Sequence, residues 1–406
     1  MSTQSFQNNG SNENEHNSSV LGGILLVAGC CIGAGMLGLP VLSAQAGFFP
    51  SVVMFVLCWL FMLTTGLLLL EVNLWYGGEV SIVTMAGRTL GRTGKIVSWL
   101  VFLSLFYSLM VAYSAASGLL ISEFVEMATG YSWHNGWGSF FFCLLFGVVL
   151  YLGTGAVDLF NRILMAGLIL AYVGLVSVGA SHVNTNLLMH YDWSTVTMVI
   201  PVIIVSFGFH NLIPSLTTYF HGEIKPLKRT LILGSAIPLI VYVIWEWIIL
   251  GLVPLADFKS VLDKGDIATN ALKDVAGAYW VTDLAQSFAF FAIITSFLTV
   301  ALSFVDFLAD GLNIEKTPKG KALLSLLVMG PPLVLSLLYP DIFLSALNVA
   351  GGFGAVILFG ILPVLMVWKG RYFQKLDKQQ IVPGGKPLLA LILALSVWVV
   401  LLQFFK

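Results

Sequence analysis

Apolar runs long enough to cross a bilayer recur along nearly the whole chain, from Val20 to Phe404. A helix rises about 1.5 Å per residue, so about 20 apolar residues span the hydrocarbon core. No water reaches the backbone there, which leaves only helices and closed barrels as spanning structures. The runs are too long for strands and do not alternate, so they are helices. Eleven are expected, over 20–46, 50–75, 95–125, 138–156, 162–182, 194–219, 230–253, 281–310, 321–339, 342–368 and 386–404. The fold class is therefore an all-α membrane protein with eleven transmembrane helices.

Composition agrees. Charged residues are 10% of the chain, against about 25% in a soluble domain. A net charge of −1 gives no footing for nucleic acid. Cys30, Cys31, Cys58 and Cys143 all lie in apolar runs without a Cys-x-x-Cys pair, so no disulfide framework or metal site is expected. Residues 1–19 are polar, rich in Asn and Ser, and lack the basic region of a secretory signal. They read as a disordered cytoplasmic tail before a single transmembrane domain, 20–406.

Lys and Arg set the orientation. With the N-terminus in the cytoplasm, cytoplasmic loops hold 15 of the 19, and the outside keeps Lys259, Lys264, Lys273 and Lys406. The C-terminus is then outside. The long outer loop, 253–281, reads as a solvated, partly helical cap. Arg162 follows Asp158 by four residues, which suggests membrane anchoring with a local helix pair.

Two of the runs are poor straight helices. Residues 29–40 carry Gly29, Gly33, Gly35 and Gly38 and end in Pro40; the sixth run carries Gly208 and, two turns on, Pro214. Glycine weakens a helix and proline removes an N–H. Irregular backbone survives at membrane depth only inside protein or along a cavity. A close helix approach would also explain a glycine in either run. Five spans separate the breaks, and an odd number inverts one copy relative to the other. Spans 1–5 (20–182) and 6–10 (194–368) then form a five-plus-five inverted repeat, with 386–404 as an added helix. Such paired interruptions point to the binding site of a secondary transporter.

Broken helices release N–H groups at one half-helix start and C=O groups at the other's end. The first suits a carboxylate and the second an ammonium. No Asp, Glu, Lys or Arg lies in either break, which fits a neutral zwitterion such as an amino acid. Met36, Phe207 and Phe209 offer apolar contact; His210 and Asn211 offer hydrogen bonds. Span 3 sets Tyr107, Met110 and Ser114 on one face, with Tyr113 nearby. Packing is the alternative role for these tyrosines. In span 8, Ser296, Thr299, Ser303, Asp306 and Asp310 form one polar stripe. Asp306 is the deeper acid and a candidate proton carrier; Thr299 and Ser303 have hydroxyls that suit sodium or interhelical hydrogen bonds. Glu246 lies mid-span between Trp245 and Trp247, where an acid is protonated or paired. Glu71 ends span 2.

These stretches resemble a known family. Gly33-Ala34-Gly35-Met36-Leu37 with Pro40, Leu67-Leu68-Leu69-Leu70-Glu71-Val72, Asp158-Leu159-Phe160-Asn161-Arg162, Ser206-Phe207-Gly208-Phe209-His210 with Pro214, and Gly234-Ser235-Ala236-Ile237-Pro238-Leu239 are similar to the bacterial hydroxy and aromatic amino acid permeases. The resemblance runs from about residue 20 to 404. It implies the amino acid–polyamine–organocation superfamily fold around broken spans 1 and 6. It implies proton-driven uptake of an aromatic amino acid, tyrosine first and tryptophan or sodium coupling as alternatives, across the bacterial inner membrane. Carried over, Gly33, Ala34 and Gly35 face the substrate's backbone end, and Ser206, Phe207, Gly208 and Phe209 complete its cradle. The motif fixes no proton site, and Glu246 has no anchor in it. The expected partners are the amino acid and the lipid bilayer, with no cofactor beyond the ion gradient. A membrane enzyme, a channel and a nutrient sensor are the rival classes. No nucleotide loop or nucleophile arrangement supports the first.

Overall fold

The computed structural model describes residues 19–77, 80–131, 134–265, 267–272, 279–376 and 380–404. The tail expected over 1–19 lies outside the described residues except for Ser19, and so does the side chain of Asp158.

Among the described residues every regular element is helical. Nine helices are long and apolar enough to cross a membrane, and a bent pair, Val20–Cys31 with Gly35–Ser43, makes ten. Gly136–Leu152, where span 4 is expected, is apolar but shorter. The unbroken long helices are Phe48–Trp75 (span 2), Arg92–Thr129 (span 3), Thr154–Gly179 (span 5), Ile224–Leu252 (span 7), Tyr279–Leu312 (span 8), Pro318–Leu338 (span 9) and Gly385–Leu402 (span 11). Leu144, Leu145 and Leu170 remain exposed on spans 4 and 5, which is what a lipid-facing surface requires. The protein is a multi-pass membrane protein.

Both expected breaks are present. Span 1 stops at Cys31 and resumes at Gly35, with a 54° bend. Span 6 is two half-helices, Ile200–Ser206 and Ile213–Tyr219. Pro201 and Pro214 each open a half-helix, where a missing N–H costs nothing. Pro40 lies inside Gly35–Ser43. The carbonyl it leaves unpaired, Met36 O, accepts from Trp245 Nε1 of span 7 at 3.0 Å.

Span 10 is Phe343–Gln374, and its middle, Ala350–Ile361, is wound as a π-helix. This segment packs against the first half of span 6 and against span 3. A Cβ on Gly351 would collide with Pro201 O, so glycine lets the two backbones meet. Spans 3, 5 and 8 form the other side of the bundle.

The loop after span 7 is less solvated than expected. Its helix Leu255–Asp263 and the turn Ala268–Leu272 pack on the second half of span 1, burying Phe258, Val261 and Leu272. At the opposite end of the bundle Arg371 is not a surface anchor. It holds Glu71 through two contacts, 2.7 and 2.6 Å, with both side chains 1% exposed.

Candidate functional site

The two breaks face each other. Tyr242 of span 7 sets its hydroxyl 2.6 Å from Cys31 O and 2.8 Å from Ser206 O, the last residues of the two first half-helices. One hydroxyl hydrogen serves one of these carbonyls at a time. Ala34 N–H, released by the first break, donates to Ser296 Oγ of span 8 at 3.0 Å. A Cβ on Gly33 would overlap that same Ser296 oxygen, and one on Gly35 would come within 2.7 Å of Ser206 Oγ. Glycine at 33 and 35 is therefore demanded by contact as well as by backbone release.

A cavity of about 100 Å³ opens at this junction. That is room for several waters. Span 1 contributes Gly29, Cys30, Gly33, Ala34 and Gly35, and span 6 contributes Ser206, Gly208 and Asn211. Aromatic rings wall it: Phe102, Phe106 and Tyr113 of span 3 and Phe359 of the π-helix. Span 5 adds Asn161, whose Oδ1 has no hydrogen-bond partner, and span 8 adds Ser296, Thr299 and Ser303. Thr299 donates its hydroxyl to Thr295 O at 2.8 Å and Ser303 to Thr299 O at 2.9 Å. Of the two roles open to them, sodium contact or interhelical hydrogen bonding, these bonds within span 8 supply neither, and both residues line the cavity. From the breaks, the cavity extends toward the end of the bundle where spans 1 and 3 begin. No Asp, Glu, Lys or Arg is among its described lining residues. Nor do the described residues include a cluster of His, Cys, Asp or Glu fit to hold a metal.

The profile of the tryptophan/tyrosine permease family matches residues 16–403. The chain belongs to this family. The permease is 32% identical to the tyrosine-specific transport system 1 of Haemophilus influenzae, over 95% of this chain and 97% of the relative. It is 32% identical to the tryptophan-specific transport protein of Shigella flexneri, with 93% of each covered. Both relatives are transport proteins, not enzymes. Its fold matches the crystal structure of MhsT in complex with L-phenylalanine, at TM-score 0.60 and 14% identity, over 94% of this chain and 98% of that one.

Several residues chosen from the sequence lie outside the cavity. Met36 is fully buried, with its carbonyl on Trp245. Phe207 packs edge-on against Tyr242 at 5.2 Å, and Phe209 packs on Gly66 of span 2. His210 is buried between two rings, Phe209 at 4.9 Å and Phe359 at 4.6 Å, with Nε2 3.0 Å from Thr65 Oγ1. It stands behind the cavity wall. Asp306 is exposed and pairs with Lys316 at 2.7 Å. Glu246 lies beside the far end of the second half of span 1, accepting from Ser43.

Tyr107 turns away as well: its hydroxyl donates to Leu327 O of span 9 at 3.0 Å. Span 3 meets the cavity instead through Phe102, Phe106, Leu109 and Tyr113, a run at helical spacing one position round from the face expected. Tyr107→Phe should lower stability by about 1 kcal/mol at most and leave transport unchanged. Thermal unfolding and uptake of the same preparation check this. Ser296 was visible as the first member of the polar stripe, but nothing in the sequence joined it to Ala34. Asn161 and the three phenylalanines carry no local signal that separates them from packing.

Proposed function

We propose that this permease imports an aromatic amino acid, tyrosine foremost, by proton symport with alternating access across the bacterial inner membrane. The observation that carries the reading is the aromatic-walled, uncharged cavity at the point where both broken spans release backbone groups. Ser296 serves the carboxylate end. Its oxygen accepts Ala34 N–H, so its own hydrogen is available to an anion, and the start of Gly35–Ser43 adds a positive helix end. Lone pairs of Thr299 and Ser303 and Asn161 Oδ1 offer uncharged oxygen to the ammonium. Phe102, Phe106, Tyr113 and Phe359 enclose the ring by apolar and edge-to-face contact.

The Lys and Arg distribution supports an N-terminus in the cytoplasm and a C-terminus outside. In that orientation the cavity extends inward and the packed elements Leu255–Asp263 and Ala268–Leu272 cover the outer end, an inward-facing arrangement. Spans 1–5 and 6–10 act as two inverted units, and access alternates by rocking one bundle against the other. The ion gradient supplies the energy, with no bound cofactor. Relatives named for tyrosine and for tryptophan keep tryptophan as the second substrate. The hydroxyl oxygens of Thr299 and Ser303 on the cavity support sodium as the second ion.

The test is uptake by proteoliposomes of labelled tyrosine, tryptophan, phenylalanine, serine and leucine under an imposed pH gradient, with and without sodium. Tyrosine should accumulate without sodium, and serine and leucine should not. Accumulation of no aromatic amino acid would sink the reading.

A further inference from the structure

Outside the cavity, one acid is enclosed at mid-depth. Glu246 of span 7 is fully buried. Ser43 Oγ donates to its Oε1, while Oε2 has no hydrogen-bond partner. The titratable groups on the elements packed against span 7 are engaged elsewhere. Glu71 holds Arg371, Tyr172 donates to Val241 O at 2.9 Å, His190 Nε2 lies 2.8 Å from Gln45 O, and His182 Nδ1 lies 3.0 Å from Val178 O. Cys30, Cys31 and Cys58 are free thiols, and Tyr242 is engaged with the break carbonyls. Lys225, Lys228 and Arg229 are on the same helix but about five turns away. An unpaired carboxylate taken out of water costs several kcal/mol, so an acid so enclosed keeps its proton.

Its neighbours on span 7 connect it to the moving parts. Tyr242, Trp245 and Glu246 follow i, i+3, i+4 spacing and share one face. Tyr242 meets the ends of both first half-helices. Trp245 holds Met36 O near the start of Gly35–Ser43, and Glu246 holds Ser43 at its end. One helical face thus grips the outer half of span 1 at both ends.

We propose that Glu246 carries the coupled proton in the import reaction proposed above, and that its protonated form locks the outer half of span 1 through Ser43. Loss of the proton to the cytoplasmic side, after substrate has left, leaves a buried negative charge with one hydroxyl to answer it. That charge needs water, and water enters only if Gly35–Ser43 and the elements packed on it move away. Rebinding a proton from the outer side lets the half-helix return. Import of substrate and of the proton are then joined through the half-helix whose other end, at Gly35, lines the cavity. The proposal rests on proton-driven import and adds the group responsible.

The experiment compares wild type, Glu246→Gln and Glu246→Asp in proteoliposomes, reading tyrosine exchange at equal pH and tyrosine accumulation under a pH gradient. Glu246→Gln mimics the permanently protonated acid. With the outer half of span 1 held locked, it should lose exchange and accumulation alike, while Glu246→Asp keeps both. Wild type that exchanges tyrosine but never accumulates it under the gradient overturns proton-driven import, and the assignment with it. Wild type and Glu246→Gln that accumulate alike overturn the assignment alone. Glu246→Asp separates the lock from a misfolded variant: retained exchange and accumulation support the carboxyl as proton carrier, and their loss overturns that role. Glu246→Gln that exchanges tyrosine like wild type overturns the lock through Ser43.

Discussion

Gly33→Val should clearly weaken tyrosine binding while the protein still inserts and purifies as a folded membrane protein. The valine Cβ would overlap Ser296 Oγ, and its two methyl groups need still more room. Ser296 must swing away, and Ala34 N–H then loses its acceptor. A buried N–H left unsatisfied costs about 1–3 kcal/mol. Because every 1.4 kcal/mol is about tenfold in affinity, the cavity end meant for a carboxylate should weaken by roughly 5- to 150-fold. Ser296→Ala separates the two causes. It clears the space and removes the acceptor, so its loss of affinity reports the hydrogen bond without the collision. Equilibrium binding of labelled tyrosine to the purified protein reads both. Unchanged affinity in Ser296→Ala would mean that the Ala34–Ser296 bond has no part in the site.

The second large effect is on stability. Glu71→Gln or Arg371→Met should destabilise the protein by about 3–5 kcal/mol, since either leaves the other group buried without its partner. The pair does more than join spans 2 and 10. Glu71 Oε2 also accepts from Ile381 N at 2.8 Å, and Arg371 donates to Val382 O at 3.0 Å, so the link into span 11 is held by the same two side chains. The double change Glu71→Gln with Arg371→Met should recover part of the loss, because no unpaired charge remains. Unfolding midpoints in detergent give the comparison. Single variants that unfold like wild type would show that water already reaches the pair.

How far the chain could be read depended on the range of the interactions involved. Helical class and both interruptions followed from length, glycine and proline, because membrane backbone has so few permitted forms. What answers the hydrogen bond missing at Pro40 has no local signal: Met36 O accepts instead from Trp245, about two hundred residues on. The face of span 3 was misjudged by a single position. One residue turns a helix by about 100°, enough to exchange the cavity residue Tyr113 and the packing residue Tyr107 for one another in importance. His210 looked functional because it sits in a break, yet its rings above and below come from Phe209 and the π-helix, which no local pattern announces. Arg371 counted as one more cytoplasmic charge until its partner, 300 residues earlier, was placed beside it.

Native Cys30 gives the most direct measurement of where the substrate sits. Cys30 and Cys31 both line the cavity, but Cys30 is partly exposed while Cys31, like Cys58 and Cys143, is buried. A membrane-impermeant thiol reagent should modify Cys30 when applied to the cytoplasmic face, and Cys30→Ser should remove that signal in peptide mass spectra. Saturating tyrosine should then protect Cys30, while serine should not. Modification of Cys30 at the same rate with and without a tyrosine concentration that saturates transport would contradict a substrate held between the two broken helices.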